Sequence, residues 1–171
     1  MNTLELKSIA ELQDMAFYIP AYQRGYRWTQ QQVKDLLKDI LEFSEKKGNA
    51  SIYCLQPLVI VKRLSDEDSG IHEAKDLNEV RRLLKEQWEV VDGQQRLTTI
   101  RLILEVLQQP HFYDIEYETR KNSASFLDGI MNGIPDSNVK ENIDYYYIKQ
   151  AVNCTNNWLK GKDIDRFRNV L

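Results

Sequence analysis

The sequence has few of the residues from which metal centres and disulfide frameworks are built. It contains two cysteines, Cys54 and Cys154, and two histidines, and no histidine lies near either cysteine. This arrangement matches no zinc-binding spacing and supplies no set of paired cysteines. The composition therefore excludes a zinc-stabilised or disulfide-rich fold. It suits the reducing environment of the cytoplasm, where we expect the protein.

Long hydrophobic runs are also missing. No apolar stretch approaches the roughly 18 residues that a membrane-spanning helix needs. The first residues, MNTLELKSIAEL, include neither the basic region nor the apolar region of a secretory signal peptide. We therefore expect no membrane partner.

Neither sign of charge is in large excess. The 23 lysines and arginines and the 26 aspartates and glutamates give a net charge of −3. This balance argues against nucleic-acid binding through overall positive charge, although it leaves room for a local basic patch. The 171 residues fit one ordinary domain, and a hydrophobic content of 42% excludes a mostly disordered chain.

Hydrophobic spacing predicts short strands that alternate with helices. We expect strands at 17–19, 58–61, 88–91 and 112–118, and helices at about 30–48, 94–109, 123–131 and 138–160. Leu58–Val61 is a continuous apolar run, which predicts a buried central strand. The charged segment 64–87 is predicted as an excursion with a surface helix over 73–86. This alternation predicts a mixed α/β (α+β) fold with a small sheet.

The end of the sequence indicates how the domains are organised. Residues 1–160 are predicted to form one domain. Asp163 is expected to cap a further helix, which is still short when the sequence stops at Leu171. We interpret 161–171 as the start of a following helical region, and the chain as the N-terminal part of a longer protein.

The segment WEVVDGQQRLTT, Trp88–Thr99, predicts a strand, a sharp turn and a helix with polar residues at the junction. We expect Asp92 to cap the helix together with Gln95, and Gly93 to allow a tight turn and a close approach by a ligand. The N–H groups of the first helical turn form a natural anion site. No glycine-lysine-serine/threonine sequence follows, which excludes a Walker P-loop.

Arg96 is out of place in the first turn of this predicted helix. The helix dipole disfavours a cation there by roughly 0.3–1 kcal/mol. A bound phosphate would reverse the sign of that interaction, so the position predicts a phosphate ligand. The alternative is a structural pair between Arg96 and a neighbouring carboxylate.

Two further segments place arginines after predicted strands. The loop PAYQRGYRW, Pro20–Trp28, contains Arg24 and Arg27, three aromatic residues and no acid. Such a loop can bind a phosphate and stack against a base, or its aromatic residues can simply pack against the following helix. In YETRKNS, Arg120 would add a phosphate contact or would lie at a solvated strand end.

Several of these segments together resemble a known family. PAYQRGYRW, QPLVIV and VVDGQQRLTTIRLIL look like parts of the N-terminal domain of GmrSD-type modification-dependent restriction proteins. YETRKNSASFL and NIDYYYIKQA are similar to later blocks of that domain, so the resemblance covers residues 18 to about 152. The domain belongs to the ParB/sulfiredoxin-like superfamily, which implies a small mixed sheet with surrounding helices. The segment 64–87 is longer than we expect between such strands.

The resemblance implies a nucleotide-binding and NTP-hydrolysing module of a phage-defence protein that restricts modified DNA. In this family the domain is usually joined to a C-terminal HNH-type nuclease domain, which would be the partner in cis or on another subunit. The family's DGQQR motif is associated with NTP hydrolysis and corresponds here to Asp92, Gly93, Gln94, Gln95 and Arg96. Its upstream glutamine–arginine pair corresponds to Gln23 and Arg24.

We therefore expect a nucleoside triphosphate as substrate and Mg²⁺ as cofactor. Asp92 would hold the metal or orient the attacking water, and Gln94 or Gln95 would position that water. The expected catalytic residues are Asp92, Gln94, Gln95 and Arg96. The expected phosphate-binding residues are Gln23, Arg24, Gly93, Arg96 and Arg120.

Three alternatives remain open from the sequence. The domain could sense a nucleotide or DNA without turnover and gate a nuclease located elsewhere in the full protein. It could be a ParB-like DNA nuclease, although no cluster of metal-binding carboxylates is evident. It could also be an interaction domain whose polar loop residues are structural.

Overall fold

The structure, a computed structural model, describes residues 4–45, 53–63, 86–109, 113–119, 123–130 and 142–168. These residues include a four-stranded sheet with the strand order β2-β3-β1-β4. The strands are β1 (Met15–Ile19), β2 (Val59–Lys62), β3 (Gln87–Asp92) and β4 (Tyr113–Tyr117). β1 is parallel to both of its neighbours, with Phe17 opposite Trp88 of β3 and Ile115 of β4.

The parallel strands bring their connections to one edge of the sheet. β1, β3 and β4 end at Ile19, Asp92 and Tyr117, and the carboxyl ends of parallel strands lie on the same side. β2 runs antiparallel to β3 and pairs Val59 with Asp92, so the chain enters β2 from this edge as well. Four segments of the chain therefore meet there. We call it the carboxyl edge.

Helices flank the sheet. They are α1 (Gln30–Glu45), α2 (Gln94–Val106), α3 (Ser123–Asp128), α4 (Ile143–Leu159) and α5 (Ile164–Arg168). α1 forms because an apolar stripe recurs at helical spacing, and Thr29 at its start donates its backbone N–H to Gln32 Oε1 at 2.9 Å. α4 packs against both α1 and α2.

α2 lies inside the molecule. Every residue from Leu97 to Glu105 is buried, polar ones included. Around it the core contains Phe17 and Ile19 of β1 and Val90 of β3. The predicted mixed α/β fold is confirmed. Its central element is α2, which begins at Gln94 within the DGQQR motif.

The run Leu58–Val61 was predicted to be a buried central strand; the strand is confirmed, but its buried central position is wrong. The strand is β2, Val59–Lys62, and it lies at the end of the sheet. Its Val59 and Val61 are 44% and 56% exposed. β-Branched residues suit any pleated strand, and the run itself does not specify which strands lie beside it.

α4 begins with an exposed apolar residue. Ile143 is 57% exposed, whereas its neighbour Asp144 is buried. The predicted start of this helix near 138, the end of α1 at Gly48 and the surface helix over 73–86 lie outside the described residues.

The helix predicted after Asp163 is present as α5. Its Phe167 is buried and contacts the Trp158 ring edge-on, with 5.5 Å between the ring centroids. The boundary at residue 160 stays a prediction. Within the described ranges, none of the helices has the combined length and apolar character that crossing a bilayer requires.

Candidate functional site

The polar residues predicted from the sequence meet at the carboxyl edge. The loop Pro20–Trp28 follows β1, Gly93 joins β3 to α2, and residues 53–58 lead into β2. In α/β folds, ligands bind at the edge where parallel strands end. The fold therefore places the glutamine–arginine loop and the DGQQR turn together, although they are far apart in sequence.

Gly93 makes the turn between β3 and α2. Its φ of 93° lies in the left-handed region, which residues other than glycine rarely adopt. A Cβ at this position would lie 3.1 Å from Leu58 Cδ1 and 3.3 Å from the carbonyl oxygen of Pro57. The sequence predicted that a ligand approaches this backbone, whereas the structure shows the segment before β2 packed against it.

The prediction that Asp92 caps α2 is wrong. The N-cap residue is Gly93, no side chain caps the helix, and Asp92 is the exposed last residue of β3. The left-handed turn at Gly93 moves the helix start one residue beyond Asp92. The N–H groups at the start of α2 are consequently left without a side-chain acceptor among the described residues.

Arg96 lies in the first turn of α2 and has neutral partners. Its guanidinium donates to Gln56 Oε1 and, at 3.1 Å, to the carbonyl oxygen of Pro57. No carboxylate pairs with it in the described parts of the chain. No described acid therefore compensates the positive charge of Arg96 beside the positive end of the helix dipole.

Three glutamines connect the loop to the rest of the edge. Gln23 Nε2 donates to the carbonyl oxygens of Val90 and Val91 at 2.8 and 2.7 Å. Gln95 uses both ends of its amide, because Nε2 donates to Gly25 O at 3.0 Å and Oε1 accepts the N–H of Arg27 at 2.8 Å. These side chains hold the loop in place.

Gln94 differs from the other two. Its Nε2 donates to the carbonyl oxygen of Arg24 at 2.5 Å. Its Oε1 is buried and has no hydrogen-bond partner within the described residues. Because an unsatisfied buried acceptor is costly, this oxygen is suited to accept a hydrogen bond from a water or a ligand.

Arg24 is the most accessible charge of the loop. Its backbone is fixed by Gln94, whereas its exposed side chain forms no hydrogen bond or ion pair with any described residue. Arg24 and Arg96 thus bring two uncompensated positive charges to the region around the start of α2. Arg120, the third arginine predicted to bind phosphate, lies outside the described residues.

The loop also contacts the start of α4, which the sequence did not predict. Arg27 forms an ion pair with Asp144, and the Asp144 carboxylate packs directly against Gly25. Asp144 is only 3% exposed. A signal for it exists in the sequence, because Asp144 precedes Ile148 by four residues and therefore lies on the same, buried face of the helix. Gln56 had no signal of its own.

Two buried tyrosines form hydrogen bonds with α2 near the carboxyl edge. Tyr26 shares a hydrogen bond with Thr99 at 2.9 Å, and Tyr117 shares one with Thr98 at 2.7 Å. Burial raises the pKa of Tyr26 well above its usual range and that of Tyr117 to about 12. Both hydroxyls therefore stay protonated at neutral pH and act as fixed hydrogen-bonding groups.

A small cavity lies next to these tyrosines. It occupies about 10 Å³ and is bordered by Tyr26, Tyr117, Asp144 and the stacked rings of Phe126 and Tyr145. This is room for about one water molecule. The cavity is too small for a nucleotide.

Metal binding rests on one predicted residue, Asp92. Among the described residues no group of three or more histidine, cysteine, aspartate or glutamate side chains could hold an ion. Mg²⁺ commonly needs only one or two carboxylates when substrate phosphates provide further ligands. The exposed Asp92 fits that mode and does not fit a metal held by protein ligands alone.

Comparison with protein-family models places the chain in a family. The family model described as GmrSD restriction endonuclease, N-terminal domain, matches residues 6–170. Comparison with curated proteins gave no match. Because the family model spans almost the whole sequence and includes both the glutamine–arginine loop and the DGQQR turn, the chain belongs to the family of GmrSD restriction endonuclease N-terminal domains and is a module of a restriction protein.

Proposed function

We propose that this domain binds a nucleoside triphosphate at the carboxyl edge and hydrolyses it. The observation that carries the proposal is the pair of arginines near the start of α2, Arg24 and Arg96, neither of which has a carboxylate partner among the described residues. Like charges near the positive end of a helix repel one another, and a polyphosphate would turn this repulsion into attraction.

The two arginines would bind phosphate oxygens, together with the N–H groups at the start of α2. Phosphoryl transfer requires mainly positioning of the reacting groups and neutralisation of the phosphate charge. Both arginines can neutralise that charge. In the reaction, a water oxygen attacks the γ-phosphorus and the bond to the β–γ bridging oxygen breaks. Nucleoside diphosphate and inorganic phosphate leave, and the proton of the water passes to solvent.

Gln94 is the residue that we propose positions the attacking water. Its buried Oε1 has no partner within the described residues and can accept a hydrogen bond from that water. Gln95 and Gln23 have their amides engaged with backbone groups, so we assign them to positioning the loop.

Mg²⁺ is the proposed cofactor, bound together with the triphosphate. When bound, it would neutralise part of the phosphate charge. Asp92 would provide a carboxylate ligand or orient the attacking water from its exposed position at the end of β3. We further propose that this turnover serves the restriction of modified DNA by a nuclease domain in the full protein.

Binding can be tested with a thermal-shift panel of ATP, GTP, CTP and UTP, each with and without Mg²⁺. A triphosphate at 100 times its dissociation constant should stabilise the domain by about 2.7 kcal/mol. Chelation of the metal should remove most of that shift, because Asp92 would help to hold Mg²⁺ and the metal would neutralise part of the phosphate charge. Absence of any shift across the panel would refute the proposed binding.

Hydrolysis is tested by phosphate release from the triphosphate that binds best. Asp92→Ala and Arg96→Ala should each lower turnover roughly hundredfold, because each removes a group that stabilises charge in the transition state. Lys38→Ala, on the exposed face of α1, is the control and should keep full turnover. Undiminished release in both site variants would contradict the assignment.

The second candidate function is nucleotide sensing without turnover. It is favoured by the engagement of Gln23 with the carbonyl oxygens of β3 and of Gln95 with the loop, which leaves few polar side chains for chemistry. Calorimetric binding of a triphosphate without phosphate release would support sensing over hydrolysis.

A further inference from the structure

The glutamine–arginine loop is held from two sides. On the α2 side, neutral hydrogen bonds from Gln94 and Gln95 reach the carbonyl oxygens of Arg24 and Gly25. On the α4 side, the contact is ionic, between Arg27 and Asp144. The segment 24–27 therefore lies between the first turns of two helices.

Asp144 is fixed in a way that leaves it little freedom. Its backbone N–H donates to Oδ1 of Asn142, the N-cap of α4, at 2.9 Å. A carboxylate in the first turn of a helix is stabilised by the positive end of the dipole. The side chain is buried. A buried ion pair is stable only when the two charged groups have good geometry and additional hydrogen bonds.

Arg27 receives this carboxylate in an equally defined position. Besides the ion pair, its guanidinium donates to the carbonyl oxygen of Tyr26 at 2.7 Å and lies 5.6 Å from the ring centroid of Tyr147. The Arg27 side chain is 28% exposed, whereas that of Asp144 is 4% exposed. Arg27 is thus the accessible end of the pair.

Gly25 brings the backbone of the loop against the same carboxylate. A Cβ at Gly25 would overlap both oxygens and Cγ of Asp144. Asp144 therefore contacts the loop at Gly25 and at Arg27. The residue between them, Tyr26, is fully buried and shares a hydrogen bond with Thr99 of α2.

We propose that Asp144 is a positioning residue that sets the site through the loop. Its carboxylate holds Gly25 and Arg27 against the start of α4, and this fixes the backbone from which Arg24 extends toward the phosphates. Asp144 itself touches no substrate. This inference rests on the proposed function, because it assigns Asp144 to the orientation of the phosphate-binding Arg24.

The first test follows the loop without any nucleotide. Trypsin cleaves after Arg24 when the loop opens, and mass spectrometry measures the rate of that cut in the full chain. Asp144→Asn should raise the rate at least tenfold. The control is Glu42→Gln, which removes a carboxylate charge from an exposed pair with Lys38 on α1 and should leave the rate unchanged.

The second test separates positioning from a general structural role. With the triphosphate that gives the largest thermal shift, Asp144→Asn should raise KM and lower kcat/KM by about the same factor as Arg24→Gln. In the Arg24→Gln background, Asp144→Asn should cost little more, because its effect passes through Arg24. Independent, multiplicative losses would overturn the positioning role.

A variant at the exposed end of the pair provides a second route to the same answer. If Asp144→Asn does not fold, as judged by circular dichroism, Arg27→Gln opens the pair from the accessible side and should give the same tryptic and kinetic changes. Normal loop protection in a folded Arg27→Gln protein would overturn the proposal. If the unmodified protein binds no triphosphate, the proposed function fails, and the tryptic result still decides whether Asp144 holds the loop.

Discussion

The residue type at a position of this site depends on the available space as much as on charge. Gly93 needs its hydrogen side chain for two reasons, a left-handed φ of 93° and close contact with Pro57 and Leu58. Gly161 has a similar φ of 77°, but a Cβ placed there would have no described atom within 4 Å outside its chain neighbours. Comparison of the two positions therefore distinguishes the effect of backbone strain from the effect of steric crowding.

Substitution of both glycines by alanine measures this difference. Gly161→Ala should lower the free energy of unfolding by about 1 kcal/mol through strain alone. Gly93→Ala should cost more, up to about 3 kcal/mol, because Leu58 and the backbone of Pro57 must also move. Urea unfolding of both variants checks the order. Equal losses would show that the segment before β2 does not crowd the turn.

At the scale of elements, α2 has two tasks. Its first turn forms one wall of the site, and the rest of the helix fills the core. A helix buried on nearly all sides still carries Arg101 and Glu105, which form an ion pair one turn apart and are 1% and 9% exposed. This buried pair lies in the helix that fixes the position of the DGQQR turn.

Breaking the buried pair should be costly. Glu105→Leu takes a charged partner from the Arg101 guanidinium and should lower the free energy of unfolding by about 3–5 kcal/mol. The matched control is Glu42→Leu, which breaks the exposed pair with Lys38 at the same spacing and should cost less than about 1 kcal/mol. Denaturant midpoints of the two proteins decide the comparison. Similar losses would mean that burial adds nothing to this pair.

For the whole molecule, buried tyrosines link stability to alkaline pH. Burial raises the pKa of Tyr113 and Tyr26 above the usual range and that of Tyr117 to about 12. In the unfolded chain a tyrosine titrates near its usual pKa of about 10. Above that pH the unfolded state loses the proton while the folded state keeps it, so stability falls as pH rises.

The expected slope can be measured. Between about pH 10 and 12, the free energy of unfolding should fall by roughly 1.4 kcal/mol per pH unit for each such tyrosine. Tyr117→Phe should make this slope shallower by the contribution of one tyrosine, roughly 1.4 kcal/mol per pH unit. Tyr146→Phe, exposed on α4, should leave it unchanged. An identical slope in all three proteins would contradict the assignment of Tyr117 as a buried, protonated group.

Local patterns were enough to predict several features of the site. The strand at 88–91, the glycine turn and the helix from Gln94 follow from spacings of two and 3.6 residues, which depend only on neighbours in sequence. The position of Arg96 in the first turn follows from the same pattern. The cap at Asp92 could not be placed correctly, because the left-handed turn at Gly93 depends on how the chain leaves the sheet.

The sequence by itself determined the alternation of helices and strands and the presence of two arginine-bearing segments after strands. Only the tertiary structure decided that β2 lies at the sheet end, that Gln56 and Pro57 receive Arg96, and that Asp144 holds the loop at Gly25 and Arg27. The physical reason is that these contacts join residues distant along the chain, and their energies depend on burial and on neighbours that no local pattern contains.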